Sequence, residues 1–203
     1  MQEGLSFERK LARRAARHGW TMGQLGAHEI AVFWLGLGAQ EKDGFKRAVR
    51  ELSSEFVINS GFAGAVRTLL EPGDFVLAEN FSSPELANWL GKKRIFTAKG
   101  SFAPVNEVAD SAAKAWLNSK GNIIALDMES AQVAALCSDL VVSYVSAKMI
   151  SDRYDEQIPD IFLGKKIRKM KDISDAIWFA TRMLVLRQKL ADRLVELISV
   201  VGG

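Results

Sequence analysis

Asp127-Met128-Glu129-Ser130 places two carboxylates on either side of a methionine, between an apolar run and a helical pattern. A glutamate there can complement the N-terminal end of a helix dipole. It can also grip two neighbouring sugar hydroxyls, because an ionised carboxylate offers acceptor oxygens and no donors. Ser151-Asp152 comes soon after the β-branched run at residues 141–147 (VVSYVSA). An aspartate in that place either closes a turn or acts as general acid at the carboxyl end of a strand, where the ligands of α/β proteins collect. Glu8 stands near the start of the first helical pattern, beside Arg9 and Lys10. A surface ion pair is the plain expectation for it, and only the company of other site residues makes it a candidate base.

Two glycine pairs follow strand-like runs. Gly36-Leu37-Gly38 opens like a dinucleotide-binding turn, but the third glycine position is Glu41, whose charge would repel a pyrophosphate. A tight turn is the better reading of that pair. Gly61-Phe62-Ala63-Gly64 lets backbone amides approach a ligand or an anion, and no Gly-Lys-Ser/Thr follows to make it a phosphate loop. Two basic groupings, Arg9, Lys10, Arg13, Arg14, Arg17 and Lys165, Lys166, Arg168, Lys169, Lys171, have no aromatic residues interleaved as base platforms. They read as solvated faces, and no nucleic-acid partner is expected.

The elements that must carry these residues alternate in type. Residues 6–18 and 40–52 have helical patterns, the first capped by Ser6 and stopped by Gly19. Short apolar runs at 29–35, 56–58, 75–78, 94–97, 122–126 and 141–147 predict strands, the third after a Pro72-Gly73-Asp74 turn. Helices are predicted over 105–119, 127–138 and 172–201. In the last, Ile173, Ile177, Ala180, Leu184, Leu190, Leu194, Leu197 and Val201 form an apolar stripe for core or subunit packing. Strands alternating with helices predict an α/β fold. It is a single domain over residues 1–203, with a central mixed, largely parallel sheet flanked by helices and a long C-terminal helix.

Composition narrows the classes. The chain has 203 residues, 48% of them hydrophobic and 25% charged, which excludes a wholly disordered chain. Its 27 basic and 24 acidic side chains leave a net charge of +3, weak attraction for a polyanion. One cysteine and two histidines give neither a disulfide nor a cysteine- or histidine-rich metal centre, so no metal is expected and the default compartment is the cytoplasm. No apolar run reaches the roughly 18–20 residues of a membrane span, and the mixed polar and basic N-terminus is unlike a secretion signal.

Taken in order, Trp34-Leu35-Gly36-Leu37-Gly38, residues 57–80 (VINSGFAGAVRTLLEPGDFVLAEN) and residues 125–152 (ALDMESAQVAALCSDLVVSYVSAKMISD) resemble the nucleoside phosphorylase/nucleosidase superfamily. The likeness is strongest to 5′-methylthioadenosine/S-adenosylhomocysteine nucleosidases and hopanoid-associated nucleoside phosphorylases, and covers most of residues 4–155. It implies a phosphorylase/hydrolase-like fold, no cofactor, a small purine nucleoside as ligand, and a homo-oligomer, a dimer first. By position, Glu129 would hold the ribose 2′- and 3′-hydroxyls with Met128 against the sugar. Asp152, with Ser151 before it, would protonate purine N7, and Phe102 would stack on the base. Glu8 would activate water, and Gly61 and Phe62 would line the nucleophile's side. Asp152 must then carry a proton near neutral pH, which calls for burial or a nearby negative charge.

The resemblance also implies contrasts. Asn59 stands where some hexameric phosphorylases carry arginine, which favours water over phosphate. Phe62 stands where nucleosidases often have Ser or Thr, and Lys148 where an arginine usually precedes Ile-Ser-Asp, keeping the charge but losing the bidentate fork. The stretch from Asn80 to Phe102 is shorter than the family's substrate loop, and the family's first strand is expected to be missing before Gly4. The expected activity is hydrolysis of an adenosine-type thioether nucleoside. Phosphorolysis, or an impaired paralogue that keeps only a nucleoside pocket, is the alternative.

Overall fold

The computed structural model describes residues 5–17, 19–35, 41–107, 109–163 and 170–201. The Gly36-Leu37-Gly38 pair and Lys165, Lys166, Arg168 and Lys169 lie outside these residues. The elements are α1 (Leu5–Glu8), β1 (Ala12–Arg17), β2 (Trp20–Leu25), β3 (His28–Phe33), α2 (Lys42–Glu51), β4 (Phe56–Ala65), β5 (Phe75–Ala78), α3 (Pro84–Leu90), β6 (Ala98–Pro104), α4 (Ser111–Asn118), β7 (Ile123–Asp127), α5 (Ser130–Asp139), β8 (Ser143–Asp152) and α6 (Met170–Val201).

The α/β class and the long terminal helix agree with expectation, but the sheet is not an open one flanked by helices. Strands β4-β7-β6-β5-β8 close on themselves into a mixed barrel, and β1-β2-β3 form a separate antiparallel meander. In the barrel β4–β8, β5–β6 and β6–β7 run parallel, while β4–β7 and β5–β8 run antiparallel. A five-stranded barrel has a narrow lumen, and its filling is accordingly small: Ala63, Ala65, Ala78 and Ala125 pack with Val76, Phe102, Ile124 and Ile150. Alternation sends the neighbouring side chains outward. Phe75, Leu77, Val145, Ala147 and Met149 pack on α6 through Phe179, Met183, Leu186 and Leu190. On the other flank α2 and α5 pack through Phe45, Val49, Val133, Leu136 and Cys137.

Several local expectations are corrected. The helix predicted over 6–18 is a short α1 followed by strand β1, whose residues Ala12, Ala15, Ala16 and Arg17 pair with β2. Ala and Arg favour helix by propensity, but strand pairing with β2 overrides so weak a preference. Gly61-Phe62-Ala63-Gly64 lies inside β4 rather than in a turn, and Ser151-Asp152 end β8 rather than follow it. The run at 94–97 precedes β6, α4 starts at Ser111, and α5 starts at Ser130, three residues after Asp127. On α6 the stripe is right in its second half, where Leu190, Leu194 and Leu197 are buried. In the first half Ile173, Ile177 and Leu184 are exposed, while Ala176, Phe179, Met183 and Leu186 face the core. That half carries two apolar stripes at helical spacing, so periodicity alone cannot choose between them.

Helices α2 and α5 end in matching Schellman turns. Ser54 N–H bonds to Val49 O (3.2 Å) and Val142 N–H to Cys137 O (3.1 Å), with Ser53 and Val141 in the left-handed region at φ 47° and 54°. A β-branched residue is poorly suited to that conformation, and Val141 is 94% exposed, so it gains no packing in return. Val141→Gly is expected to raise stability by about 1 kcal/mol, the left-handed penalty less glycine's entropy, read as an upward shift of the urea midpoint at unchanged slope.

Candidate active site

Lys148 lies on β8 within an otherwise apolar run and is 2% exposed. A buried ammonium needs counter-charge and acceptors. It finds Asp127, the last residue of β7, at 3.1 Å, Glu129 at 3.9 Å and the Asn59 side-chain oxygen at 3.4 Å. Asn59 on β4 donates through its amide to Ser130 Oγ and Ser146 Oγ, both at 3.0 Å. Ser130 in turn donates its hydroxyl to Asp127 Oδ2 (2.6 Å), and its backbone N–H points to the same carboxylate (3.2 Å). Asp127 therefore does two jobs: it neutralises Lys148 and caps the first turn of α5. The network ties β4, β7 and β8 to the N-terminus of α5.

Glu129 sits at the N-cap position of α5 with no side-chain capping bond. Its side chain is 23% exposed, against 1% for Asp127. Desolvation raises its carboxyl above the ordinary 4.5, the Lys148 ammonium pulls it back, and the Asp127 charge pushes it up again. Met128 is half-buried beside it. Glu129 is thus a carboxylate anchored from behind by a cation, with a face left to solvent.

Asp152 belongs to a second cluster. The β4–β8 register slips between Ala63 and Gly64, so Gly64 pairs with Asp152 while Ala63 pairs with Ile150. This one-residue bulge turns Asp152 towards α4. There the Lys114 ammonium meets Asp152 Oδ2 at 2.6 Å, with side-chain exposures of 2% and 4%. Lys114 also donates to the carbonyls of Arg153 (2.7 Å) and Glu156 (3.3 Å). Ser151 Oγ donates to the other carboxyl oxygen, Oδ1, at 2.5 Å. A Cβ on Gly64 would come within 3.1 Å of Asp152 Oδ2, so glycine keeps that approach open. The Glu156 carboxylate is held by both terminal nitrogens of Arg182 on α6 (2.6 and 2.9 Å), which fixes the turn after Asp152. Among the described residues no hydrogen bond or ion pair joins this cluster to the Lys148 network.

The remaining predicted residues are placed as follows. Phe102 is 2% exposed inside the barrel filling, and its backbone is clasped by the Asn80 side chain through bonds of 2.8 and 3.0 Å. Gly61 pairs with Lys148 across the β4–β8 ladder, and Phe62 packs on the cluster between barrel and α6. Glu8 is buried and accepts a hydrogen bond from Trp34 Nε1 (3.0 Å) rather than pairing with Arg9 or Lys10. Cys137 is buried, and desolvation pushes its thiol up to about 12. Among the described residues no three His, Cys, Asp or Glu side chains converge as metal ligands, and no helix is long and apolar enough to cross a membrane. Sequence reading missed Lys114, which looks like any helical lysine in SAAKAWLN. It also missed the roles of Asp127, Ser130 and Ser146. A lysine inside a buried strand is the signal that a carboxylate must sit opposite it.

Lys148→Met should leave Asp127 buried without its cation and lower stability by about 3–5 kcal/mol, while Lys148→Met with Asp127→Asn should lose much less. Both are read from urea midpoints. For Glu129 the sign is opposite to that of a stabilising carboxylate. Its raised folded value means the native state binds the proton more tightly, so stability falls as pH rises from 4.5 upward. Glu129→Gln should therefore be more stable than the natural chain at neutral pH, with the difference vanishing below about pH 4, in melting curves across pH.

No protein-family model and no curated protein matches the chain. Solved structures do. A 5′-methylthioadenosine/S-adenosylhomocysteine nucleosidase from S. pneumoniae, solved with a transition-state inhibitor, superposes with a TM-score of 0.73 at 17% identity, over 96% of this chain and 94% of that one. The Neisseria meningitidis nucleosidase, in complex with methylthio-immucillin-A, gives 0.72 at 17% over 97% and 94%. A futalosine hydrolase of Helicobacter pylori gives 0.69 at 18% over 98% and 94%. The chain shares its fold with these nucleosidases and this hydrolase, in keeping with the sequence resemblance.

Proposed function

We propose that the chain is a purine nucleoside N-ribosyl hydrolase acting on an adenosine-type thioether nucleoside. The observation that carries this reading is Glu129: a partly exposed carboxylate at the start of α5, backed by the Lys148–Asp127 pair, in a fold that known nucleosidases share. Breaking an N-glycosidic bond builds positive charge on the ribose ring. A fixed anion accepting from the 2′- and 3′-hydroxyls strengthens as that charge grows. Lys148 favours the ionised form of the Glu129 carboxylate against its desolvation, and Met128 supplies an apolar surface against the sugar. At the leaving-group end, Asp152 with Ser151 delivers a hydrogen bond and then a proton to purine N7, and Phe102 forms an apolar wall for the base. Glu8, oriented by Trp34, takes a proton from the attacking water.

Water is favoured over phosphate by charge. The ammonium nearest the Asn59–Gly61 stretch, Lys148, already faces Asp127 and Glu129, two carboxylates against one cation. The Asn59 amide is fully engaged with Ser130, Ser146 and Lys148. A phosphate dianion would meet a net negative environment with few uncommitted donors.

Incubation with methylthioadenosine, adenosylhomocysteine and plain nucleosides, with and without phosphate, tests the reading. Adenine should appear at the same rate in both buffers. Release confined to phosphate would make the chain a phosphorylase. No release but a measurable calorimetric titration would leave only a nucleoside pocket. Glu129→Gln should lower kcat/KM at least about a hundredfold, since two charge-assisted hydrogen bonds of about 1.5–3 kcal/mol each are weakened.

A further inference from the structure

We propose that Lys114 is the proton source behind Asp152. The inference rests on the hydrolase reading above and deepens it. If Asp152 is to protonate a purine it must hold a transferable proton in an environment closed to solvent. The structure sets a cation beside it: the ammonium of Lys114, from a different element, at 2.6 Å from Oδ2 with both side chains buried. An ammonium–carboxylate pair and an amine–carboxylic acid pair differ only by the shift of one proton across that contact. In either form the pair carries one transferable proton, held ready for the moment the purine leaves and replaced from solvent only after the bond has broken.

The surroundings suit the exchange. Lys114 has three N–H groups and three acceptors: Asp152 Oδ2, Arg153 O and Glu156 O. After it gives one proton up, the neutral amine still has two N–H groups for the two carbonyls. Those carbonyls are held in place, because Glu156 is locked to Arg182. Ser151 fixes the other carboxyl oxygen. Leu126 packs beside the Asp152 carboxylate, where a Cβ on Gly64 would meet both.

The step balances as follows. The Nζ–H bond of Lys114 breaks and its electron pair stays on nitrogen. Asp152 takes that proton and passes one to N7, whose lone pair forms the new N–H bond. The C1′–N9 bond breaks with its electrons going to the purine, and the oxygen of water bonds to C1′. The second proton of that water, taken first by Glu8, restores the ammonium through solvent. Lys114 touches no substrate, so it is a positioning residue that acts through Asp152.

The test uses the full chain with Lys114→Met, Lys114→Arg, Asp152→Asn and the double variant Lys114→Met/Asp152→Asn, reading kcat, KM and melting temperature for each. Lys114→Met should lose about 10²–10⁴ in kcat, the range of general acid catalysis, with KM within about threefold. Lys114→Arg keeps a cation that does not give up its proton, and its kcat should stay near that of the methionine variant. On the Asp152→Asn background the methionine change should have no further effect on kcat, because its route is already cut. The double variant should melt above the Lys114→Met single, since no unpaired buried charge remains. Full activity in Lys114→Met, recovery in Lys114→Arg, or additive kcat losses in the double variant would overturn the inference and leave Lys114 a structural clamp. If Lys114→Met does not fold, the arginine variant decides by the same kcat criterion. A natural chain that hydrolyses no nucleoside fails the functional reading, and this step with it. A natural chain that does, beside an unaffected Lys114→Met, fails this step alone.

Discussion

A positive charge buried in the wall of a small barrel is the constraint around which the rest of the candidate site is arranged. Lys148 occupies a position where its neighbours on the strand are Ala147 and Met149, and it is almost wholly out of water. Leaving such an ammonium unpaired would cost several kcal/mol. Asp127 answers it directly, Asn59 answers it with a carbonyl oxygen, and two serines take up the donors that Asn59 has left. Asp127 is consequently committed inward, and Glu129, two residues on, is the carboxylate that keeps contact with solvent. The division of labour within Asp-Met-Glu-Ser follows from where the cation sits.

The site divides in two beside the barrel. Its lumen is filled by alanines and a few larger apolar side chains, and the two polar clusters lie apart from that filling. The bulge at Ser151 is a departure from regular alternation. It carries Asp152 away from the barrel filling and against α4, where Lys114 meets it. Two buried ion pairs result, one at the α5 end and one at the α4 end.

Likeness of fold to nucleosidases at 15–18% identity fixes the scaffold and leaves the chemistry to particular side chains. Here those side chains differ from a simple picture of paired carboxylates pushed apart in acidity. Both carboxylates proposed to touch substrate have a lysine partner, and Glu8 is held by an indole N–H. Asp152 is buried as the sequence led one to expect, and it has a cation beside it that the sequence did not announce.

Much of the fold was legible before any coordinates. Strand β5 falls on residues 75–78 as read, α2 and α6 lie within two residues of their predicted starts, and β7, α5 and β8 follow in the expected order. Glu129 and Asp152 could be singled out as candidates because chemistry gathers at the carboxyl ends of strands, and their place at the ends of β7 and β8 is what local order records. What the sequence could not decide was set by contacts between distant segments. Pairing with β2 made β1 a strand despite its helix-forming residues, closure through β4–β7 and β5–β8 made a barrel of a sheet, and packing chose one of two apolar stripes on α6. Lys114 lies 38 residues from Asp152 and meets it only because a bulge turns the aspartate towards α4. Local periodicity records which face of an element is apolar. Which cation ends beside which carboxylate is a property of the closed fold alone, because the desolvation that makes such a pair matter exists only once the chain has packed.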